Sequence, residues 1–163
     1  MGSFNRDGVK RRIVEVLAEA LPDFDVSYEW PGDDVGSRWL YFGPASNGSP
    51  DVDSLTGSPG TKRHTTDTFS IIGVLCSTGH YAVEEAERAA ADAMRTVDDT
   101  LRRLKRLRDD TGAIADGTTD DYAGVRSVDI TSIDGPEATR PQVDDEGLID
   151  GMCAFTITCV SDL

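Results

Sequence analysis

Residues Tyr81 to Arg108 read YAVEEAERAAADAMRTVDDTLRRLKRLR. Val83, Ala86, Ala90, Ala93, Met94, Val97, Leu101 and Leu104 recur at helical spacing and form one apolar stripe. Glu84, Glu85 and Glu87 stand in the first turns, and Arg102, Arg103, Lys105, Arg106 and Arg108 near the end. Both placements suit the helix dipole. At about 1.5 Å per residue, such a helix spans roughly 42 Å, enough to cross a whole sheet. Its first half is rich in alanine, which permits close approach to whatever it covers.

The segments on either side read as strands. Upstream, a short helix over Arg6–Leu21 places Val9, Ile13, Val16, Leu17 and Ala20 on one face, with Lys10, Arg11, Arg12, Glu15 and Glu19 outward. Pro22 stops it. Phe24, Val26, Tyr28 and Trp30 then alternate with polar residues at a period of two, the mark of a half-buried strand. Pro31-Gly32-Asp33-Asp34 breaks it, and Arg38–Phe42 reads as the return of a hairpin. Thr68–Ser77 is apolar on both faces and predicts a central strand covered on both sides. Downstream, Val125–Ile133 and Leu148–Val160 predict two more strands, with Asp134-Gly135-Pro136 as a turn. In the last, Ile149, Cys153, Phe155, Ile157 and Cys159 share one face. Gly43–Asp67 and Asp109–Gly124 are polar and read as loops. The order is helix, strands, helix, strands. It predicts a single α+β domain over residues 1–163, with a mainly antiparallel sheet of four to five strands packed by the short and the long helix.

Composition narrows function by exclusion. Among 163 residues, 16 Lys+Arg against 30 Asp+Glu give a net charge of −14. That opposes general nucleic-acid binding, which needs basic surface to displace counterions. Cys76, Cys153 and Cys159 are few, odd in number and set in apolar runs, so they read as reduced thiols of a cytosolic chain. No stretch is long and apolar enough to span a membrane, and the N-terminus has neither a signal-peptide core nor a myristoylation pattern.

Candidate chemistry is sparse. Asp51-Val52-Asp53-Ser54-Leu55-Thr56 looks superficially like the nucleophile loop of haloacid-dehalogenase-like phosphatases. That loop must leave an apolar parallel strand, and here Gly43–Pro50 precedes it. Gly57–Lys62 resembles half a phosphate loop with the wrong spacing. Cys76 and His80 stand four apart without two further ligands nearby. The basic cluster at the helix end could meet an acidic partner, yet Asp98, Asp99, Asp109 and Asp110 neutralise it locally. Trp30, Trp39, Tyr41 and Phe42 read as cross-strand aromatic packing that would mark an interface if exposed. The expectation is therefore a protein with no catalytic residue, cofactor or metal. Its candidate assembly contacts are Trp39, Tyr41, Asp51, Asp53, Arg102, Arg103 and Arg106.

In architecture the chain resembles the tail-terminator (tail-completion) proteins of long-tailed bacteriophages. The resemblance runs over the opening helix ending in Leu21-Pro22, the pair Phe24–Phe42, the core strand Thr68–Ser77, the long helix and the closing strands, down to Phe155-Thr156-Ile157-Thr158-Cys159-Val160. It implies a virion subunit, assembled in the host cytoplasm as a homo-oligomeric ring, a hexamer. Such a ring caps the tail-tube protein and joins it to the head-neck connector, with genomic DNA passing through unread. The long loop Gly43–Asp67 departs from compact members. Two other classes compete: an acidic inhibitor or immunity-type module steered to a basic partner, and a small metal-dependent hydrolase acting through Asp51 and Asp53.

Overall fold

The computed structural model describes residues 6–32, 36–47, 66–106, 125–139 and 148–162. Helix α1 is Arg6–Ala20 and α2 is Val83–Arg106. The strands are β1 (Asp25–Ser27), β2 (Arg38–Phe42), β3 (Ser46–Asn47), β4 (Thr66–His80), β5 (Val125–Thr139) and β6 (Ile149–Asp162). They form one six-stranded sheet in the order β1-β2-β4-β6-β5, with β3 paired to β4. The α+β class and the mostly antiparallel sheet are as the sequence predicts.

The inner face of the sheet carries Leu40, Phe42, Phe69, Ile71, Leu75, Val128, Cys153, Phe155, Ile157 and Cys159, all buried under the helices. The period of two in β6 is complete: every odd residue from Ile149 to Cys159 is buried and the even ones are half-buried. Pairing Ile71 with Ile157 and Leu75 with Cys153 fixes the register, because a slip of one residue would turn this set to solvent. Ala86, Ala90, Ala93, Met94, Val97 and Leu101 of α2 lie on this layer. Thr100 is buried in the same stripe, and its hydroxyl donates to the Thr96 carbonyl at 2.7 Å, so it enters the core with its polar atom satisfied. The alanine-rich half does make the close approach. Gly151 of β6 faces α2 so tightly that a Cβ there would lie 2.8 Å from the Ala86 carbonyl carbon and 3.2 Å from Ala90 Cβ.

Several expectations are corrected. Arg38–Phe42 is not a hairpin return: β1 pairs with β2 in parallel, Val26 opposite Leu40. β1 keeps only three residues, and Tyr28 and Trp30 lie beyond its end. β4 is central, but among the described residues its helices cover one side only, with Ile72 53% exposed on the outer face. Asp134-Gly135-Pro136 does not turn the chain; β5 continues to Thr139 across a register shift between Asp134 and Glu137. The bulge absorbs the residues that composition reads as a turn. Val83 is largely exposed, so the stripe of α2 begins at Ala86. Lys10, expected outward, is buried at 3% exposure. The polar loop Gly43–Asp67 gives up both ends: Ser46–Asn47 pairs with Ser70–Phe69, and β4 already begins at Thr66. Asp67 is buried and holds the Arg6 guanidinium through Nε at 2.8 Å and through Nη2, tying the first turn of α1 to β4. That paired carboxylate holds the Arg6 guanidinium above its ordinary pKa.

Candidate functional site

The outer face of the sheet lies opposite both helices. Register places Trp39 beside Cys76, Tyr41 beside Val74, Cys76 beside Met152, Val74 beside Ala154 and Ile72 beside Thr156. Directly paired residues of antiparallel strands share a face, so these side chains form one uncharged band across β2, β4 and β6. Acids rim it: on β5, Glu137 stands opposite Met152, Asp134 opposite Ala154 and Asp129 opposite Thr158.

At one end of the band three rings gather. Trp30 meets Tyr41 edge-on at 4.7 Å and Trp39 at 5.8 Å between centroids, and Trp39 stacks on Tyr41 at 5.1 Å. The expected aromatic group therefore forms, with one exception. Phe42 points to the other face and meets Phe155 at 6.0 Å in the core. Trp39 and Tyr41 are half-buried, whereas Trp30, in the segment that follows β1, is 48% exposed.

Beside these rings the end of β2 and the face of α1 enclose a cleft of about 460 Å³. Lys10, Tyr28, Glu29, Trp30, Tyr41 and the segment Phe42–Ala45 line it. The Lys10 ammonium donates to the Gly43 carbonyl at 2.7 Å and sits 3.8 Å from the centroid of the Tyr28 ring. Burial pushes its pKa down, and the field of Glu29 opposes that. Sequence reasoning missed Lys10 because charge was read as outward. A signal was present: Lys10 lies three residues before Ile13 and seven before Leu17, on the same helical face.

The basic end of α2 is less free than its composition. Arg102 pairs with Asp98 at 3.0 Å one turn back, and Arg103 is exposed. Arg106 closes the helix, but its side chain lies outside the described residues. Asp51 and Asp53 also lie outside them, so their phosphatase-like spacing meets no scaffold on which to be judged.

The junction of β4 and α2 holds an arrangement the sequence did not reveal. Ser77 Oγ lies 2.8 Å from His80 Nε2, and His80 Nδ1 lies 3.4 Å from Glu85 Oε1. Serine, histidine and glutamate thus stand in the sequence of a nucleophile, base and orienting acid. Accessibility decides against attack on a substrate. Ser77 is 1% exposed on the helix-covered face, and Glu85 is mostly in solvent. The contacts instead anchor the bulged end of β4 to the first turn of α2, and Gly79, at φ +81°, takes up the bulge between Ser77 and His80. The neighbouring thiol is also disarmed: burial pushes Cys76 up to about 12, and likewise Cys159 to about 12 and Cys153 to about 11. A thiol, not a thiolate, is a poor nucleophile and metal ligand. Among the described residues, no three His, Cys, Asp or Glu side chains converge as a metal site, and no helix is long and apolar enough to cross a membrane.

No family model matches the chain, and a search among curated proteins finds no match.

Proposed function

We propose that this chain is a structural subunit of a homo-oligomeric ring, of the tail-terminator kind, that caps a phage tail tube and joins it to the head-neck connector. The observation that carries the reading is the uncharged band Trp39, Tyr41, Ile72, Val74, Met152 and Ala154 on the sheet face opposite the helices. A chain of net charge −14 repels its own copies. Assembly therefore needs a face from which charge has been cleared, and the acids of β5 set the limit of that face. The order helix, strands, long helix, strands supports the same reading. The role is mechanical: subunits hold a channel while DNA passes, with no bond made or broken.

Native mass spectrometry and electron microscopy across a range of concentrations, with and without tail-tube protein, test it. Closed rings are expected. Ile72→Asp is expected to give a folded monomer, because Ile72 is half-exposed already and surface changes of this kind cost about 0.5 kcal/mol. A strict monomer under every condition, or an Ile72→Asp protein that assembles as well as the parent, overturns the proposal.

A further inference from the structure

We propose that the cleft between α1 and the end of β2 binds a monocarboxylate carried on an aromatic or branched apolar body, with Lys10 as its anion anchor. This goes beyond the assembly reading and does not depend on it. A lysine with 3% exposure is rare unless a carboxylate pairs it, and among the described residues Lys10 has none within salt-bridge distance. Its ammonium has three N–H groups. The Gly43 carbonyl takes one and the Tyr28 ring face a second. A third remains in a cleft that Lys10 itself lines.

The walls specify the rest of the ligand. Tyr28, Trp30 and Tyr41 offer ring surface, and Pro44 and Ala45 add apolar surface. At about 460 Å³ the volume suits a group of amino-acid side-chain size or somewhat larger. Glu29 also lines the cleft and contributes negative charge. It disfavours a dianion such as phosphate more than a single carboxylate. A bound carboxylate would stabilise the charged form of Lys10 that burial disfavours.

The chain's two tryptophans, Trp30 and Trp39, both belong to the aromatic group at this cleft, so their fluorescence reports on it directly. Dilute full-length protein is titrated with 3-phenylpropionate, with the uncharged isostere 3-phenylpropanol and with inorganic phosphate. A saturable change with phenylpropionate is expected, about ten-fold or more weaker for the alcohol, as befits a charge-assisted hydrogen bond, and none for phosphate. Lys10→Met should abolish the preference for acid over alcohol. The acid–alcohol comparison needs no variant, so a Lys10→Met protein that fails to fold leaves the test intact. Absence of saturation by phenylpropionate, equal response to acid and alcohol, or an unchanged preference in folded Lys10→Met overturns the proposal. A second arm separates sources of the carboxylate. If phenylpropionate binds without altering any assembly, the cleft takes a free small acid. If it binds and dissociates assemblies, a neighbouring chain supplies the carboxylate. Lack of assembly in the parent protein fails the ring proposal alone.

Discussion

Gly151→Ala is the sharpest probe of how α2 sits on the sheet. A methyl group at Gly151 would lie 2.8 Å from the Ala86 carbonyl carbon and closer still to its oxygen, against an ordinary contact of 3.4 Å or more. The helix must therefore retreat by at least 3.4 − 2.8 = 0.6 Å at its first turns. The atoms struck are backbone, so no rotamer change absorbs the clash. Retreat loosens Ala86 and Ala90, both 0% exposed, and strains Ala93 and Met94 behind them. Overpacking of this kind costs about 1–3 kcal/mol. The lower chain entropy of unfolded alanine returns about 0.4–1 kcal/mol. Because the obstacle is backbone the upper value applies, and about 3 kcal/mol less about 1 leaves a net loss of about 2 kcal/mol, or roughly 4–8 °C in Tm for a chain of this size. Urea unfolding followed by far-ultraviolet circular dichroism measures it, with the m-value expected to hold. Because the obstacle is a carbonyl, trimming Ala86 to glycine should not restore the loss. A change below about 0.5 kcal/mol, or rescue by Ala86→Gly, would show that the helix rides higher than described.

Leu101→Asp should unfold the domain, since it puts a carboxylate at a position with 1% exposure at a cost of several kcal/mol; Arg103→Glu, on the exposed side of the same turn, should keep the native circular dichroism and Tm and at most disturb assembly. The thiols give a pH dependence with a definite sign. Their folded pKa values are raised to about 11–12 from 9.0, so the folded state keeps protons that the unfolded state releases. Stability is complete below pH 9 and falls as pH rises toward 11–12, by roughly 1 kcal/mol per thiol per pH unit. Denaturation midpoints at pH 8 and pH 10, for the parent and for Cys153→Ala, check the slope; a thiol reagent at pH 8 should react with none of the three until the chain unfolds. A flat profile or prompt labelling refutes the burial.

What the sequence revealed depended on whether the information was local. The stripe of α2 and the alternation of β6 are periodic within one segment; the stripe appears where the spacing places it from Ala86 to Leu101, with the Leu104 side chain outside the described residues, and the alternation of β6 appears in full. The pairing of β1 with β2 is not local. A proline-glycine break between two strand-like runs is the usual sign of a hairpin, but direction is set by which edge residue Val26 finds, and it finds Leu40 in parallel. The apolar doublet Ile71-Ile72 marked β4 as central, which it is, yet hydrophobicity alone could not tell a second covering layer from a half-buried band with Ile72 exposed. The candidate contacts divide in the same way. Trp39 and Tyr41 are two residues apart on one strand, so their shared face was legible; their edge-on packing against Trp30 depends on the course of the chain beyond β1. Arg102 spends its charge on Asp98, an i,i+4 contact that the sequence already contained.

Lys10 shows where sequence reading fails and why the failure is informative. Hydrophobic patterning sorts residues by what water would do with them, and it puts a lysine outside by default. The fold keeps this one inside at a real cost in desolvation, with a carbonyl and a ring face as partial compensation. Stability alone does not require that choice, since methionine would fill the same volume without an ammonium to satisfy. The conflict between pattern and placement falls beside the exposed Trp30 and the end of the uncharged band. Local rules are broken most often where a surface is used. That coincidence moves the functional question from the long helix, whose stripe is spent on the sheet, to the opposite face and the cleft at its edge.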